Sequence, residues 1–393
     1  MKILFITPRL PCPPHGGDKL RAFNFIKYLS RKHSIYLVSF IESEKELEYV
    51  APMKEYCADV EVILLKPIHS YLSCLFYSLS LIPFQVAYYR DRRMKNKISE
   101  IINREKIDGI YIHLLRMAQY VKDIKAVNRI LDLTDSLSLS LKRSLRFRNH
   151  LFFLFYFVEW LKISIYEPRI IQHFDRCLLI SAVDKEATNL LRGAENISII
   201  SNGVDFNYFR PTGRQYNPNS IVFIGNLHSF PNRDAVLYCY RDILPLIKRA
   251  VPDIKFYIVG INPPKKILEL AKDKNVIITG GVDDSRPYLS DAAVMVCPIR
   301  VATGMQNKIL EAMAMGLPTI STSIATLWMD KKEDSGVLIV DTPAEFAKKV
   351  IEVIKNKDLR EQLSINARKL IVENYDWNKN IKKLELLFEE GIK

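Results

Sequence analysis

Three charged residues in the C-terminal half have types and spacing that suit the binding of an anion. Arg300 follows an apolar run, and Glu311 stands one helical turn after Lys308. Two cations can neutralise a diphosphate, and a carboxylate can accept hydrogen bonds from ribose hydroxyl groups. The pattern is therefore that of a nucleotide-sugar site. The alternative is an exposed Lys–Glu pair beside a solvated arginine, which contributes little to stability.

The elements predicted around these residues favour the binding site. A strand predicted at 294–297 ends just before them, and a helix is predicted over about 307–315, with Gly316 as its C-terminal stop. Open α/β sheets bind ligands in loops that lead from a strand to a helix, and a helix N-terminus attracts phosphate. We therefore place Gly304 and Met305, in the loop, against the ligand.

A second glycine-containing loop lies near the N-terminus. Gly16 and Gly17 precede a helix predicted over about 18–31, with Asp18 as its N-cap. Two glycines at a helix N-terminus let a bound group approach the backbone closely, although a plain tight turn has the same residues. The loop is not a G-x-G-x-x-G, which counts against a dinucleotide cofactor.

Polar side chains also follow two apolar strands of the N-terminal half. His113 ends the strand predicted at 107–112, at the edge where parallel sheets hold their sites. Asp132 and Asp135 lie at the end of the next strand, where they could hydrogen-bond a polyol or cap the following helix. A single histidine is more often structural than chemical.

Strands alternate with helices along the whole chain of 393 residues, which predicts parallel, doubly wound sheets. The fold class expected is α/β, with two Rossmann-like domains. A turn-rich stretch divides them. We expect a first domain over 1–204, a second over 205–375, and a C-terminal helix over 376–393 that returns to the first domain.

The net charge of +13 lies mostly in residues 1–200, which indicates an anionic partner such as a membrane surface or nucleic acid. The six scattered cysteines fit a reduced, cytosolic compartment. The apolar run at the N-terminus is too short for a signal peptide and predicts a first buried strand. No metal-ligand spacing occurs among the seven histidines.

Two stretches are unusually apolar. Residues 70–89 carry no charge and are followed by several basic residues, and the aromatic run 151–158 is preceded by a basic cluster. Aromatic side chains beside cations suit an anionic membrane surface. Because residues 70–89 contain serines and a proline, interfacial contact is favoured over spanning. Burial between domains is the alternative for 151–158.

Together these motifs resemble the retaining glycosyltransferases of family 4, which have the GT-B fold, two Rossmann-like domains facing each other across a cleft. The resemblance covers nearly the full length. It is carried by Gly16-Gly17 after the first strand, by the segments 201–205 and 209–211, and by the segment 308–316. The chain is most similar to the bacterial surface-polysaccharide branch.

The resemblance implies roles for individual residues. Glu311 matches the carboxylate that holds the donor ribose, and Gly304, with Met305 beside it, matches the glycine near the donor sugar and phosphate. Gly16 and Gly17 match the N-terminal glycines that face the donor phosphate. His113 lies where many members have a polar residue near the transferred sugar.

The chain departs from the family pattern at three positions. Thr303 stands where the first glutamate of the usual pair is expected. The usual basic residues after the first strand of the second domain fall near Asn226 and Asn232. We therefore expect Arg300 and Lys308 to supply the missing charge, and we assign them, with His113, to the catalytic set.

The resemblance also implies a reaction. A sugar would pass from a nucleotide-diphospho sugar, such as a UDP- or GDP-sugar, to a lipid-linked or polysaccharide acceptor with retention of configuration, without metal or tightly bound cofactor. The protein is expected in the cytoplasm, peripheral at the inner face of the cytoplasmic membrane.

Four other functions are alternatives for this sequence. A nucleotide-sugar 2-epimerase of the same fold would need no acceptor and little membrane surface. A non-catalytic sugar-binding protein is usually exported. A nucleic-acid-binding protein suits the charge, but no nucleic-acid motif occurs, and a Rossmann oxidoreductase would carry the glycine fingerprint.

Overall fold

The computed structural model of the chain describes residues 1–14, 16–125, 127–147, 150–189, 196–213, 216–302, 304–329 and 334–391. The chain forms two compact units. Unit 1 comprises Met1–Ser201 and Asn378–Lys393, and unit 2 comprises Asn202–Trp377.

The described part of unit 1 contains a sheet of seven parallel strands: β1 Lys2–Thr7, β2 Ser34–Ile41, β3 Asp59–Leu64, β4 Gly109–His113, β5 Asn128–Thr134, β6 Arg176–Leu179 and β7 Ile197–Ile199. Its spatial order is β3-β2-β1-β4-β5-β6-β7. The α-helices are α1 Gly17–Leu29, α2 Val50–Lys54, α3 Pro67–Phe76, α4 Phe84–Tyr88, α5 Arg92–Glu105, α6 Leu137–Leu145, α7 His150–Ile171, α8 Ala182–Asn189 and α16 Trp377–Glu390.

Unit 2 contains six parallel strands among its described residues: β8 Ser220–Ile224, β9 Lys255–Val259, β10 Val276–Gly280, β11 Val294–Cys297, β12 Thr319–Ser321 and β13 Val337–Ile339. Their order is β10-β9-β8-β11-β12-β13. The α-helices are α9 Phe230–Tyr238, α10 Leu244–Ala250, α11 Lys265–Leu268, α12 Arg286–Asp291, α13 Asn307–Ala314, α14 Pro343–Lys355 and α15 Lys357–Asn374.

The central strands are apolar because both faces of each sheet are covered. In β1 the side chains of residues 3–6 are all fully buried, and so are those of residues 294–297 in β11. A strand covered on both faces has a continuous apolar run, and such runs allow these strands to be predicted from the sequence. The parallel order places the carboxyl ends of β1, β4 and β5 side by side at one edge of the sheet.

Several local expectations need correction. Gly16, and not Asp18, is the N-cap of α1, and the Asp18 carboxylate instead pairs with Arg9. Ser136, and not Asp135, caps α6 by accepting a hydrogen bond from a backbone N–H group. After β4 the chain forms a short 3₁₀ segment at Leu115–Tyr120, whose side chains are mostly buried.

Helix α16 packs within unit 1. The Phe388 ring approaches Gly109 so closely that a Cβ atom there would lie 2.8 Å from it. The Asn128 amide donates hydrogen bonds to the carbonyls of Leu387 and Phe388 at 3.0 and 3.1 Å. Asn380 donates to the Ser201 carbonyl at 2.8 Å. The last helix therefore packs against the amino ends of β4 and β5, two strands from the first half of the chain.

The apolar stretch 70–89 forms part of α3, a connecting loop and the short α4. Among the described residues, no helix has both the length and the apolar character that crossing a bilayer requires.

Candidate active site

The binding loop of unit 2 leads from β11 into α13, as the sequence predicts. Gly304 has a φ of 65°, a left-handed conformation that favours glycine. Gln306 occupies the N-cap and makes no side-chain capping hydrogen bond. The first N–H groups of α13 therefore have no side-chain cap and can bind an anion. Thr303, the departure from the family pattern, lies outside the described residues.

Lys308 lies in the first turn of α13 and is half-buried. Its ammonium group donates a hydrogen bond to the side-chain carbonyl of Asn232 and lies 4.9 Å from the centre of the Phe223 ring. Burial lowers the pKa of Lys308, while Cys297 and Glu311 act in the opposite direction. In the part of the chain that the structure describes, no carboxylate forms an ion pair with Lys308. A partly desolvated cation of this kind gains from binding an anion.

Glu311 stands one turn after Lys308 on the same helix. Burial raises the pKa of its carboxyl to about 7, and the nearby Lys308 charge only partly opposes this. The group therefore titrates near neutral pH. Half-buried, perturbed carboxyl groups at sheet edges are candidates for binding or chemistry.

Arg300 has a partner of its own. Its Nε and Nη2 atoms donate to the two carboxylate oxygens of Asp234 at 2.9 and 2.6 Å, and its guanidinium lies 4.4 Å from the centre of the Tyr238 ring. A bidentate pair with a carboxylate offsets part of the arginine charge. Lys308 is therefore the stronger candidate of the two for binding a diphosphate.

Asn202 contacts the candidate site, although the sequence analysis assigns it no role there. Its backbone N–H group donates to the Met305 sulfur at 3.2 Å, and its side chain donates to the Asn307 side-chain carbonyl at 3.0 Å. Asn202 is buried and fixes the loop before α13 from a distant part of the chain. The segment 201–205, which carries part of the family resemblance, is the signal in the sequence that points to this residue.

His113 of unit 1 ends β4 at the carboxyl edge of the sheet. Its side chain is only 2% exposed, and neither ring nitrogen has a hydrogen-bond partner among the described residues. The ring stacks on Tyr111, and Nδ1 lies 3.7 Å from the Asp132 carboxylate. Leu114, the next residue, has a φ of 69°, which is rare for a residue with a side chain and accompanies functional sites.

Asp132 is the centre of a buried polar cluster beside His113. Its carboxylate accepts hydrogen bonds from Arg21 Nε at 2.6 Å, from the Tyr111 hydroxyl and from the Thr134 N–H group at 2.9 Å. Burial alone would raise the pKa of Asp132, but Arg21 and His113 outweigh burial and lower it. Asp132 is therefore engaged within the protein, and it neither caps α6 nor faces solvent as a polyol ligand.

Gly16 and Gly17 lie at the same edge, at the start of α1. Gly16 has a φ of 96°, so its conformation is one that residues with a Cβ atom rarely adopt. The pKa of the neighbouring Asp18 is lowered, because Arg9, His113 and Arg116 together outweigh its burial. The structure thus brings the glycines and His113 to one edge of unit 1, and Gly304, Met305, Lys308 and Glu311 to one edge of unit 2. Within the described residues, no group of three or more histidine, cysteine or acidic side chains could hold a metal ion.

Comparison with known sequences identifies relatives of this chain. Residues 218–356 match the family described as glycosyl transferases group 1. The chain is similar to an uncharacterized 44.6 kDa protein in the cps region of Klebsiella pneumoniae, with 24% identity over 397 residues that cover 96% of this chain and 97% of that protein. It is also similar to the uncharacterized glycosyltransferase MJ1069 of Methanocaldococcus jannaschii, with 24% identity over 216 residues that cover 52% of this chain and 53% of that protein.

Comparison with solved structures shows the fold. The crystal structure of Anabaena Alr3699/HepE in complex with UDP matches with a TM-score of 0.71 at 14% identity, covering 99% of this chain and 100% of that chain. Two α/β units with parallel sheets are the architecture of GT-B glycosyltransferases. The sequence matches and the fold together show that this protein is a glycosyltransferase with the GT-B fold.

Proposed function

We propose that the protein is a retaining glycosyltransferase of family 4 that uses a nucleotide-diphospho sugar as its donor. The observation that carries this proposal is the placement of half-buried Lys308 and Glu311 one turn apart at the start of α13, behind the left-handed Gly304. Support for the donor class comes from the Anabaena protein of similar fold, whose crystal structure contains UDP.

Different residues of unit 2 bind different parts of the donor. Glu311 accepts hydrogen bonds from the ribose hydroxyl groups. The Lys308 ammonium and the N–H groups of α13 bind the diphosphate, and Gly304 and Met305 lie against the sugar and phosphate. Arg300 assists from its pair with Asp234. When the bond from the anomeric carbon to the diphosphate breaks, negative charge grows on the leaving group, and the cation stabilises it electrostatically.

Unit 1 supplies the remaining assigned residues. We assign Gly16 and Gly17 to the donor phosphate and His113 to the transferred sugar. The acceptor is lipid-linked or a polysaccharide, and the reaction belongs to bacterial cell-surface glycan synthesis. The similar Klebsiella protein from a cps region supports this setting. The basic excess of residues 1–200 supports a peripheral position at the inner face of the cytoplasmic membrane.

A thermal-shift screen with UDP, GDP, ADP and their sugars tests the donor site. One nucleoside diphosphate is expected to raise the melting temperature of the wild type, and Glu311→Ala is expected to abolish that shift. Lys357 and Glu361 form a Lys–Glu pair on exposed α15, so Glu361→Ala is the matched control and should retain the shift. If none of the nucleotides raised the melting temperature, the proposed donor site would be wrong. Retention is tested separately, by the anomeric configuration of the product relative to the donor.

A further inference from the structure

Unit 1 exposes a cluster of large apolar side chains that packing within the unit does not cover. We call it the apolar platform: α3, the connecting residues 77–83, α4 and residues 152–155 of α7. Phe76 is 79% exposed, Leu75 is 70% exposed and Leu79 is fully exposed. Soluble monomers rarely expose a large contiguous apolar surface, and such surfaces mark interaction sites.

Aromatic stacking and hydrogen bonds join the parts of the platform. The Phe84 ring stacks on Phe155 of α7 with the ring centres 5.2 Å apart. The Glu159 carboxylate accepts hydrogen bonds from the N–H groups of Phe84 and Gln85 at 2.7 and 3.0 Å, and so caps α4 from α7. The Ser73 hydroxyl of α3 donates to the carbonyl of Ala87 in α4. The platform is therefore one surface built from three helices.

A buried cation holds the connecting loop. The Lys162 ammonium of α7 donates to the carbonyls of Tyr77 and Ser78 at 3.2 and 2.7 Å and lies 4.1 Å from the centre of the Phe84 ring. Lys162 and Glu159 are both buried, and both are used to fix backbone groups of the platform. Burying two charged side chains is costly, so their use here indicates that the exposed loop has a required shape.

Cationic side chains bound the uncharged part of the platform. The sequence from Pro67 to Tyr89 contains no aspartate, glutamate, lysine or arginine, and it is bounded by exposed Lys66 and Arg90. The Arg90 guanidinium lies 4.8 Å from the centre of the Tyr77 ring, at the margin of the platform. Exposed Arg146 follows α6, which packs on α7. An apolar surface with a cationic margin complements an anionic lipid interface.

We infer that the apolar platform is the surface by which unit 1 docks onto an anionic phospholipid bilayer, with its short helices lying in the headgroup region. The inference rests on the proposed function, because docking would bring a lipid-linked acceptor to the enzyme. A second copy of the chain fits the platform less well. A symmetric contact between two copies would bring the cations of both margins together.

Vesicle flotation of the full chain tests this inference. Wild type is expected to float with vesicles containing phosphatidylglycerol, more weakly at high salt, and not with pure phosphatidylcholine. The double variant Leu75→Glu/Phe76→Glu should bind these vesicles at least about tenfold more weakly than the wild type. Two inserted apolar groups are replaced by charges that anionic lipid repels. Ile365→Glu/Leu386→Glu is the control, because both residues are exposed apolar positions on helices outside the platform. It should float like the wild type.

Other results would overturn the inference. Equal flotation of the wild type and the platform variant would show that another surface binds lipid. A wild type that fails to float would exclude docking, and in that case a dimer that the platform variant converts to a monomer would assign the platform to self-association. The nucleoside-diphosphate thermal shift, measured on the same samples, reports the proposed function independently. The thermal shift should persist in both double variants. If the wild type showed no thermal shift, the proposed donor site would be wrong, and the flotation result would be unaffected.

Discussion

The Lys308 ammonium donates a hydrogen bond to the side-chain carbonyl of Asn232. In the family pattern a basic residue is expected near position 232, and this chain has asparagine there. Helix α13 therefore places a cation beside Asn232. We expect this cation to supply the charge that the family pattern has near position 232.

Lys308→Met is accordingly expected to weaken the binding of the preferred nucleoside diphosphate by about tenfold to a hundredfold, since a charge-assisted hydrogen bond contributes about 1.5–3 kcal/mol. Binding of the corresponding nucleoside, which lacks phosphate, should change little. Isothermal titration calorimetry with both ligands measures the difference, and Lys357→Met, an exposed lysine on α15, is the control. Unchanged diphosphate affinity would exclude Lys308 from the phosphate site.

Glu311 is expected to make nucleotide binding depend on pH. Its pKa of about 7 in the folded protein lies above the ordinary value of 4.5. The ionised form, which we propose accepts the ribose hydrogen bonds, therefore becomes dominant only above about pH 7. Nucleotide affinity should rise through this range. Glu311→Gln should bind more weakly at high pH and lose that rise. A rise that persists in Glu311→Gln would assign the titration to another group.

The raised pKa of Glu311 also makes the stability of the fold depend on pH, but in the opposite direction to nucleotide affinity. Because the pKa of Glu311 is raised on folding, the group favours the folded state most below pH 4.5, and this contribution declines as the pH rises through about 7.

Asn202→Ala should lower nucleotide affinity although Asn202 is assigned no ligand contact. The substitution removes the side-chain hydrogen bond to Asn307 at 3.0 Å, and so loosens the start of α13. We expect a decrease of about fivefold to tenfold in affinity, corresponding to about 1 kcal/mol for one hydrogen bond. Asn207→Ala, at an exposed position in the same segment, is the control. Equal affinity in the two variants would show that the loop keeps its shape without Asn202.

Asp132→Asn is expected to destabilise unit 1 by about 3–5 kcal/mol at neutral pH, because it leaves the buried Arg21 guanidinium without its carboxylate. The folded-state pKa of Asp132 lies below the ordinary value of 3.8, so the stabilisation is complete above pH 3.8 and is lost as the pH falls through the folded-state pKa. Chemical denaturation at several pH values measures both effects.

Asp59→Asn is the control for this prediction, since Asp59 pairs with Arg104 on the surface. Its loss should cost less than about 1 kcal/mol. If both variants lost the same stability, the buried cluster would have no special role.

The sequence predicted those features that depend on local patterns. The strand at 294–297 has the bounds expected of a continuous apolar run. The loop and helix that contain Lys308 and Glu311 followed from glycine positions and spacing. These signals lie within a few residues of one another, so no knowledge of distant contacts was needed.

Contacts between distant residues could not be predicted in this way. Arg21 and Asp132 are 111 positions apart, and nothing near either of them indicates the other. Asp234, 66 positions before Arg300, pairs with that arginine and offsets the charge assigned to the donor. The pattern of residues 70–89 indicates an apolar segment, but only the packing of α7 shows which of its side chains remain exposed.

The contacts of α16 bear on the order in which a newly made chain can fold. Unit 2 has all its residues once Trp377 has been synthesised. Unit 1 begins first, yet Gly109 and Asn128 receive their partners only when residues 387 and 388 have left the ribosome. Domains usually fold in the order of synthesis. In this protein the unit that is started first is the one that is finished last. The amino ends of its β4 and β5 therefore lack the contacts of α16 throughout the synthesis of the other unit.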